Sequence, residues 1–319
     1  MTDAFERTLL GAAPAFQAAL RTAGIAAAAD VSVLVLGETG TGKELLGRAL
    51  HAESPRREGP FVPVNCAALP EGVAESQLFG HRKGAFTGAV ADSEGLVGAA
   101  GGGTLFLDEV GELDAAVQTK LLRFLEAGTY QRVGEAAERR ADVRVVAATN
   151  RDLGAEVAAG RFREDLFYRL YVVPVELPPL RQRPGDVRRL AGRFLADLAA
   201  EHGVAAPAFA EDALARLAAY PWPGNVRELR NLCRRLVILL PGTTIAASNL
   251  PGEVAGGGAA PSGPGLTLPE RGVRLDELEA DFIRQALART GGNRSRAARL
   301  LGVTRDTLLY RIKKHAIEG

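Results

Sequence analysis

Short apolar runs alternate with amphipathic segments along the first 180 residues of the chain. Five runs rich in valine and leucine have the length and composition of buried strands: VSVLVLG at 31–37, FVPVN at 61–65, TLFLDE at 104–109, VRVVAATN at 143–150 and VVPVELP at 172–178. Continuous apolar strands that are separated by helical segments indicate a parallel sheet with helices on both faces. We therefore predict an α/β domain over residues 1–180.

Only helical patterns follow, until a stretch rich in glycine and proline. EDALARLAAY and VRELRNLCRRLVILL are typical of residues 188–240, so a helical subdomain is predicted over 181–250. Six glycines and four prolines fill ten positions of 251–269, a composition that neither propagates a helix nor packs as a strand. A flexible linker is predicted over 251–272, and an ordered surface loop is the alternative.

The remaining residues, 273–319, have the pattern of a small all-α domain. One face of a first helix, 274–289, carries Leu275, Leu278, Phe282, Ile283 and Leu287. The following segment GGNRSRAARLLGVTRDTLLYRIKKH has the pattern of a helix, a tight turn at Gly302 and a second helix, with Asn293 and Thr304 as N-caps. Its small core is expected to comprise Ala298, Leu301, Val303, Leu308 and Ile312.

Composition and charge narrow the classes of function. The chain has 319 residues and two cysteines, and no apolar run approaches the ~18 residues of a membrane span. The N-terminus has no signal-peptide pattern, so secreted and membrane proteins are excluded or improbable and a reducing cytoplasm is expected. Net charge is only +1, but residues 289–315 hold eight Lys or Arg against one acid, Asp306. This asymmetry indicates a nucleic-acid partner for the last domain.

The first predicted strand leads directly into GETGTGKE, where Gly37, Gly42 and Lys43 have Walker A spacing. Such glycines let backbone N–H groups surround phosphate oxygens, and the following helix N-terminus adds the positive end of its dipole. Glu44 stands where a Ser or Thr hydroxyl usually binds Mg²⁺. A glycine-rich turn without nucleotide is the alternative interpretation.

A second apolar strand ends in adjacent carboxylates. Asp108 would hold Mg²⁺, directly or through water, and Glu109 would accept a proton from the attacking water or orient it. An Asp-Glu pair at a strand end is otherwise a solvated turn. Together with the phosphate loop, the pair predicts a site that binds a nucleotide and Mg²⁺ and hydrolyses the nucleotide.

Five motifs occur in a fixed order: GETGTGKE, GAFTGA at 84–89, GGTLFLDE at 102–109, FREDLFYRL at 162–170 and WPGNVREL at 222–229. In this order they resemble the bacterial enhancer-binding proteins, which activate sigma-54 RNA polymerase. The resemblance spans roughly residues 7–250 and resumes at 273–315. It implies an AAA+ parallel sheet, an α-helical lid over 181–250 and a Fis-type helix-turn-helix domain over 273–319. Glu44 is the usual residue in this family.

The resemblance implies roles for individual residues. It assigns ATP binding to Gly37, Glu38, Thr39, Gly40, Thr41, Gly42, Lys43, Glu44, Thr149, Asn150 and Arg227. It assigns catalysis to Asp108, Glu109, Asn65, Arg163 and Arg169. Asn65 would restrain Glu109 until the γ-phosphate is bound, or it is simply a turn former. Arg163 and Arg169 would be arginine fingers that reach the neighbouring subunit of a hexameric ring, the alternative being salt bridges with Glu164 or Asp165. Residues 222–225 are interpreted as a turn.

Two further surfaces follow from the resemblance. Contact with sigma-54 is implied for Gly84, Ala85, Phe86, Thr87, Gly88 and Ala89, and the segment 130–140 resembles a second substrate-facing loop. Contact with enhancer DNA is implied for Arg294, Arg296, Thr304, Arg305, Asp306, Thr307, Tyr310, Arg311, Lys313 and Lys314. The first helix of that domain would supply a dimer contact.

These features predict an ATP-driven transcription activator that remodels the closed sigma-54 polymerase–promoter complex. A different AAA+ remodeller or replication initiator with a DNA-binding tail, and a non-catalytic DNA-binding regulator, are the alternatives. Tyr171, Arg82 and EGLVGAA at 94–100 depart from the usual family residues. The ATPase module begins within about ten residues of Met1, where relatives usually carry a sensory domain. Either a regulatory protein acts in trans or the sequence is a fragment of a longer chain.

Overall fold

Five parallel strands form the sheet that the apolar runs predict. The computed structural model describes residues 5, 8–70, 72–255, 275–291, 293–301 and 305–315, without the side chains of 275–278, 281, 288, 300 and 306. The sheet consists of β1 Val33–Leu36, β2 Phe61–Asn65, β3 Thr104–Asp108, β6 Arg144–Thr149 and β7 Val173–Glu176. Its order is β2-β3-β6-β1-β7, and every neighbouring pair is parallel. The predicted α/β class is confirmed.

Both faces of this sheet are buried, which explains why its strands have continuous apolar sequences. Leu105 and Leu107 of β3 pack into one apolar cluster, and Phe106 between them packs into the other. The helices of this part of the chain are α1 Pro14–Ala28, α2 Lys43–Ala52, α3 Ala74–Phe79, α4 Gly95–Ala99, α5 Ala115–Ala127, α6 Leu153–Ala158 and α7 Glu164–Leu170. Capping signals in the sequence fix some of their ends, as where the Asp114 side chain accepts from the backbone N–H of Val117 at the start of α5.

A helical subdomain follows the sheet, and a 3₁₀ turn at Leu180–Gln182 leads into it. Its helices are α8 Asp186–His202, α9 Glu211–Ala219, α10 Asn225–Leu239 and α11 Gly252–Ala255. They enclose an apolar core of their own around the buried Trp222. Sequence patterns between 188 and 240 predict helices alone, whereas the structure adds β8 Ala208–Phe209, paired with β9 Thr244–Ile245. Two residues are too few for the alternation that identifies a strand.

The described chain divides into two compact units, Met1–Gly258 and Ala259–Gly319. The second unit contains α12 Leu275–Arg289, α13 Arg294–Leu300 and α14 Arg305–Lys314. Its core is formed by Ile283, Ala286, Leu287, Ala297, Ala298, Leu308 and Ile312, with Leu301 packed against them. Phe282, which the sequence groups with Ile283 and Leu287, is 44% exposed instead. Most of the predicted linker, and the predicted turn and core residues Gly302 and Val303, lie outside the described residues.

The order of the strands brings the nucleotide motifs together. β1, which precedes the GETGTGKE loop, lies beside β6, and β6 lies beside β3, which ends at Asp108. The carboxyl ends of parallel strands meet at one edge of a sheet, which is where open α/β folds bind their ligands. Three central strands therefore present their loops to one another at that edge.

Candidate functional site

The phosphate loop and the end of β3 meet around the ammonium group of Lys43. Lys43 is the first residue of α2, and its side chain is only 6% exposed. Its Nζ donates to the carbonyl oxygen of Gly37 at 2.9 Å and lies 3.5 Å from Glu109 Oε1. Within the loop, the buried Thr41 hydroxyl donates to the Glu38 carbonyl at 2.8 Å. A buried cation at a helix N-terminus, at the mouth of a curled loop, is suited to bind phosphate oxygens.

Two adjacent carboxylates lie where β3 ends, Asp108 as its last residue and Glu109 in a strained turn directly after it. Glu109 has φ 53°, a left-handed conformation that is uncommon for a residue other than glycine and is found often at functional sites. Its backbone N–H donates to Asp108 Oδ1 at 3.1 Å. Burial, and then the neighbouring Glu109 carboxylate, raise the pKa of Asp108 above its ordinary value. Two crowded acids of this kind would be stabilised by a cation.

The end of β6 bridges the carboxylates and the phosphate loop. The backbone N–H of Asn150 donates to Glu109 Oε2 at 3.1 Å, and Asn150 Nδ2 donates to Thr39 Oγ1 at 3.0 Å. Thr149 behaves differently, because its buried hydroxyl accepts from the backbone N–H of Arg151 at 3.0 Å. The Thr149 carbonyl oxygen accepts from the Gly37 N–H at 3.3 Å, so Thr149 contacts the phosphate loop through its backbone and Asn150 contacts it through its side chain.

Asn65 lies at the end of β2, in register with Asp108 of the adjacent strand. Its Oδ1 accepts from the backbone N–H of Ala67 at 3.0 Å, which caps the following 3₁₀ turn. This is the turn-forming contact that the sequence leaves open as the alternative. In the structure the Glu109 carboxylate contacts Lys43 and Asn150.

A cleft of about 330 Å³ lies between the phosphate loop, the end of β3 and the lid helix α10. Among the predicted residues it is lined by Thr39, Gly40, Gly42, Lys43, Glu44, Asp108, Glu109 and Arg227. Arg230 and Arg234 of α10 line it as well, and sequence reasoning missed them. Their positions three and seven residues after Arg227 place all three guanidinium groups on one helical face, which is the signal that could have found them.

The two arginines of FREDLFYRL lie away from this cleft. Arg163 makes a bidentate salt bridge with Asp165, with Nε–Oδ1 at 3.0 Å and Nη2–Oδ2 at 2.7 Å. Arg169 donates to the Leu125 carbonyl through Nε at 3.2 Å and Nη2 at 3.0 Å. In the part of the chain that the structure describes, neither side chain lines the cleft. Within one subunit Arg163 thus has the salt bridge that was the alternative to its role as a finger.

The GAFTGA segment forms an exposed turn between α3 and α4. Gly84 and Gly88 have φ of 81° and 103°, the left-handed region that favours glycine, and the Gly84 N–H donates to the Ala89 carbonyl at 2.8 Å. Phe86 is 38% exposed, and its ring meets the edge of His81 at 5.0 Å between centroids. Thr87 is exposed. The turn therefore presents an aromatic ring and a hydroxyl to a partner.

The segment 130–140 packs against the base of this turn. Its two ends pair as β4 Thr129–Tyr130 and β5 Arg139–Arg140, an antiparallel hairpin. The Arg82 N–H donates to the Val133 carbonyl at 3.0 Å, so the hairpin and the GAFTGA turn are joined by backbone hydrogen bonding. Arg82, which departs from the family pattern, makes a salt bridge with Asp92 at 2.9 Å.

The second unit presents most of its predicted DNA-contacting side chains to solvent. Asn293 Oδ1 accepts from the Arg296 N–H at 3.1 Å, which confirms the predicted cap of α13. The exposed members are Arg294, Arg296, Arg305, Tyr310, Lys313 and Lys314. Thr307 and Arg311 are half-buried, and Arg311 makes a salt bridge with Glu279 at 2.8 Å. Thr304 and the Asp306 side chain lie outside the described residues.

Asn225, which the sequence places in a turn, contacts the phosphate loop. It is fully buried at the start of α10, and its Nδ2 donates to the Thr39 carbonyl at 3.1 Å and to Glu38 Oε2 at 3.2 Å. No local signal predicts these contacts, because Asn after Gly at the start of a helix is typical of any turn.

Known families match almost the whole chain. Residues 9–176 match the sigma-54 interaction domain, residues 181–263 the AAA+ ATPase lid domain, and residues 274–315 the bacterial regulatory proteins of the Fis family. These matches support the first of the three functions that the sequence suggests. Of the helices in the described parts of the chain, none is long and apolar enough to cross a bilayer.

Several known proteins are similar to this chain over nearly its whole length. The transcriptional regulatory protein ZraR of Klebsiella oxytoca is 47% identical over 315 residues, which cover 98% of this chain and 70% of that protein. The DNA-binding transcriptional regulator NtrC of Salmonella typhimurium is 43% identical over 334 residues, covering 97% of this chain and 70% of that protein. The structure of NtrX from Brucella abortus in complex with ATP superposes with a TM-score of 0.76 at 35% identity, covering 97% of this chain and 69% of that one.

Proposed function

This chain belongs to the sigma-54-dependent transcriptional activators, which combine an AAA+ ATPase with a Fis-type helix-turn-helix, and we propose that it converts the closed sigma-54 polymerase–promoter complex into the open complex. One observation carries this proposal. Lys43, Asp108 and Glu109 line a single cleft under the lid, and the GAFTGA turn presents Phe86 and Thr87 to solvent. A hydrolysis site and a surface for a partner thus belong to the same compact unit.

ATP is the nucleotide of the cleft in this proposal. Lys43 would bond the phosphate oxygens, and Arg227, Arg230 and Arg234 would face the same polyanion from the lid. A triphosphate is a stronger partner for the Lys43 ammonium than one carboxylate. Binding would therefore free Glu109, which Lys43 contacts at 3.5 Å, to orient or deprotonate the attacking water.

Asp108 is the residue that would hold Mg²⁺. Burial and the neighbouring Glu109 carboxylate, which together raise the pKa of Asp108, fit a divalent cation at this edge of the sheet. Among the described residues no group of three metal-binding side chains occurs, and Mg²⁺ in nucleotide sites usually needs only one or two carboxylates beside phosphate oxygens and water. Bound there, the ion would neutralise charge on the phosphates.

The exposed turn is the part that would engage sigma-54. We expect Thr87→Ala to leave ATP turnover within about twofold of the wild type and to lower open-complex formation at least about tenfold, as loss of a central interface contact does. Thr119→Ala is the matched control, because this exposed hydroxyl bonds only within its own helix, to Ala115. Turnover and heparin-resistant complexes are measured on the same preparations. Unchanged activation by Thr87→Ala would remove the turn from the mechanism.

The active form would be a hexameric ring in which Arg163 and Arg169 act on the nucleotide of the neighbouring subunit. Both arginines lie outside the cleft of their own subunit, which supports a role in trans. In the ring, a bound γ-phosphate would replace Asp165 as the partner of Arg163.

Mixing two inactive variants tests this arrangement. Lys43→Ala keeps both arginines but lacks the phosphate lysine, and the double variant Arg163→Ala with Arg169→Ala has the opposite defect. If the arginines act in trans, the mixture regains ATPase activity that neither variant has alone. A mixture as inactive as its components would show that the arginines serve their own subunit.

Enhancer DNA is the expected partner of the second unit. The exposed Arg294, Arg296 and Arg305 would contact phosphates or base edges, together with the other members of the set on α13 and α14. Glu279 of α12 makes a salt bridge with Arg311, so DNA phosphates would compete with this carboxylate for the guanidinium.

The exposed Phe282 would suit a dimer contact on α12. A DNA partner would place the protein in the cytoplasm, and the free thiols of Cys66 and Cys233 agree with a reducing compartment.

A further inference from the structure

Three side chains, those of Glu38, Arg181 and Asn225, connect the phosphate loop to the lid by hydrogen bonds. Arg181 lies in the 3₁₀ turn between the sheet and the lid and forms a bidentate salt bridge with the Glu38 carboxylate. Nη1 donates to Oε2 at 2.8 Å and Nη2 donates to Oε1 at 2.6 Å. Bidentate pairs of this kind fix the relative orientation of the two side chains as well as stabilising their contact. The hinge into the lid is thus attached to the second residue of GETGTGKE.

Asn225 closes the same connection from the lid. Its Nδ2 donates to Glu38 Oε2 and to the Thr39 carbonyl, while its Oδ1 accepts from the Leu180 N–H at 2.8 Å. It is fully buried with φ 51°, a conformation that asparagine adopts more readily than most residues. The Asn225 side chain therefore contacts both the phosphate loop and the 3₁₀ turn at Leu180–Gln182. The Asn225 backbone begins the first turn of α10.

The backbones of the loop and the lid also touch. The Arg227 N–H donates to the Gly40 carbonyl at 3.3 Å. Gly40 has φ 82°, and a Cβ placed there would lie 2.4 Å from the Gly224 carbonyl oxygen. Only glycine allows this approach. The residue that faces the nucleotide from the lid, Arg227, is therefore bonded to the same loop.

The Glu38 carboxylate is charged throughout the range of ordinary pH. The hydrogen bond from Arg181, and then that from Asn225, lower the pKa of Glu38 to about 2. A lone carboxylate so close to a triphosphate would repel it. Arg181 offsets that charge, so Glu38 can serve as an anchor without opposing the nucleotide.

We propose that Glu38, Arg181 and Asn225 form a latch, a set of positioning residues that makes the phosphate loop and the first turn of α10 move as one body. The latch rests on the proposed assignment of the cleft as the ATP site. The lid cannot rotate about the 3₁₀ turn that joins it to the sheet without breaking these hydrogen bonds. When nucleotide occupies the phosphate loop, the position of Arg227 is therefore fixed relative to that nucleotide. Loss of the latch leaves Lys43 able to bind phosphate but leaves the lid groups out of position.

Arg181→Ala tests the latch, since this side chain is 44% exposed and its removal leaves no cavity. The matched control is Arg188→Ala, an exposed arginine of α8 that is paired with Glu211 at the lid surface. Trp222 provides a second readout, because it is the single tryptophan of the chain and its carbonyl accepts from the Asn225 N–H at 2.8 Å. Steady-state ATPase kinetics and Trp222 emission during titration with ADP are measured for each variant.

We expect Arg181→Ala to lower kcat by about 10- to 100-fold with KM within about threefold, the pattern of a misplaced catalytic geometry. We expect ADP to bind both proteins, to change the Trp222 emission of the wild type and to leave that of Arg181→Ala unchanged. Glu38→Gln, which keeps acceptor oxygen but loses the charge, should lie between. Arg188→Ala should match the wild type in both readouts.

A wild-type kcat in Arg181→Ala, or a Trp222 response that is unchanged in that variant, would overturn the latch. Neither result would affect the assignment of the site, which Lys43→Ala tests separately. The two failures are thus distinguishable, because a wrong site appears as nucleotide binding that survives the loss of Lys43.

Discussion

Replacement of Lys43 by alanine should weaken ATP binding by at least about 100-fold. Charge-assisted hydrogen bonds contribute about 1.5–3 kcal/mol each, and loss of the ammonium would remove those to the phosphates together. The change would also leave Glu109 without its neighbouring cation, so a triphosphate would meet an uncompensated carboxylate. Both effects act in the same direction.

Calorimetric titration of the variant with ATP measures this loss. Lys120→Ala is the matched control, because Lys120 is a half-buried lysine of α5 that pairs with Glu75 and does not line the cleft. The control should bind ATP as the wild type does. Unimpaired binding by Lys43→Ala would show that the cleft is not the ATP site.

Glu109→Gln should separate binding from hydrolysis. A general base contributes about 10²- to 10⁴-fold to a rate, and the amide can neither accept a proton nor hold water as a carboxylate does. We therefore expect kcat to fall by at least about 100-fold, while ATP binds as tightly as in the wild type or tighter, since a negative charge has been removed from the cleft.

Single-turnover hydrolysis and equilibrium binding of ATP provide the two numbers. Glu112→Gln is the matched control, because it lies three residues further on and makes a salt bridge with Arg151 at 2.5 Å. Turnover near the wild-type rate in Glu109→Gln would exclude Glu109 as the residue that activates water.

The sequence predicts the sheet well for a physical reason. Strands buried on both faces must be apolar along their whole length, so β1, β3 and β6 stand out from the amphipathic helices around them. The loops that follow these strands then meet at one edge, whatever the detailed geometry. This is why Lys43, Asp108 and Glu109 could be assigned to one site from the residue pattern, whereas Asn150 was implied only by the family resemblance.

Contacts between distant parts of the chain could not be predicted in this way. Asn225 and Arg181 bond to Glu38 across 187 and 143 residues, and neither spacing leaves a periodic signal. The salt bridge between Arg311 and Glu279 is likewise a product of tertiary packing. Strands of two residues, such as β8 and β9, are also too short for any pattern. What the sequence missed is the set of interactions that connect elements, because local residue patterns carry no record of them.

ATP hydrolysis by this protein is expected to open sigma-54 promoters. The most direct test measures heparin-resistant complexes of sigma-54 RNA polymerase on a supercoiled promoter, with this protein and with ATP or no nucleotide. We predict complexes that form only with ATP and that decrease at least about tenfold when Thr87→Ala replaces the wild type. ATP hydrolysis without any such complexes would contradict this function and would assign the ATPase a different substrate.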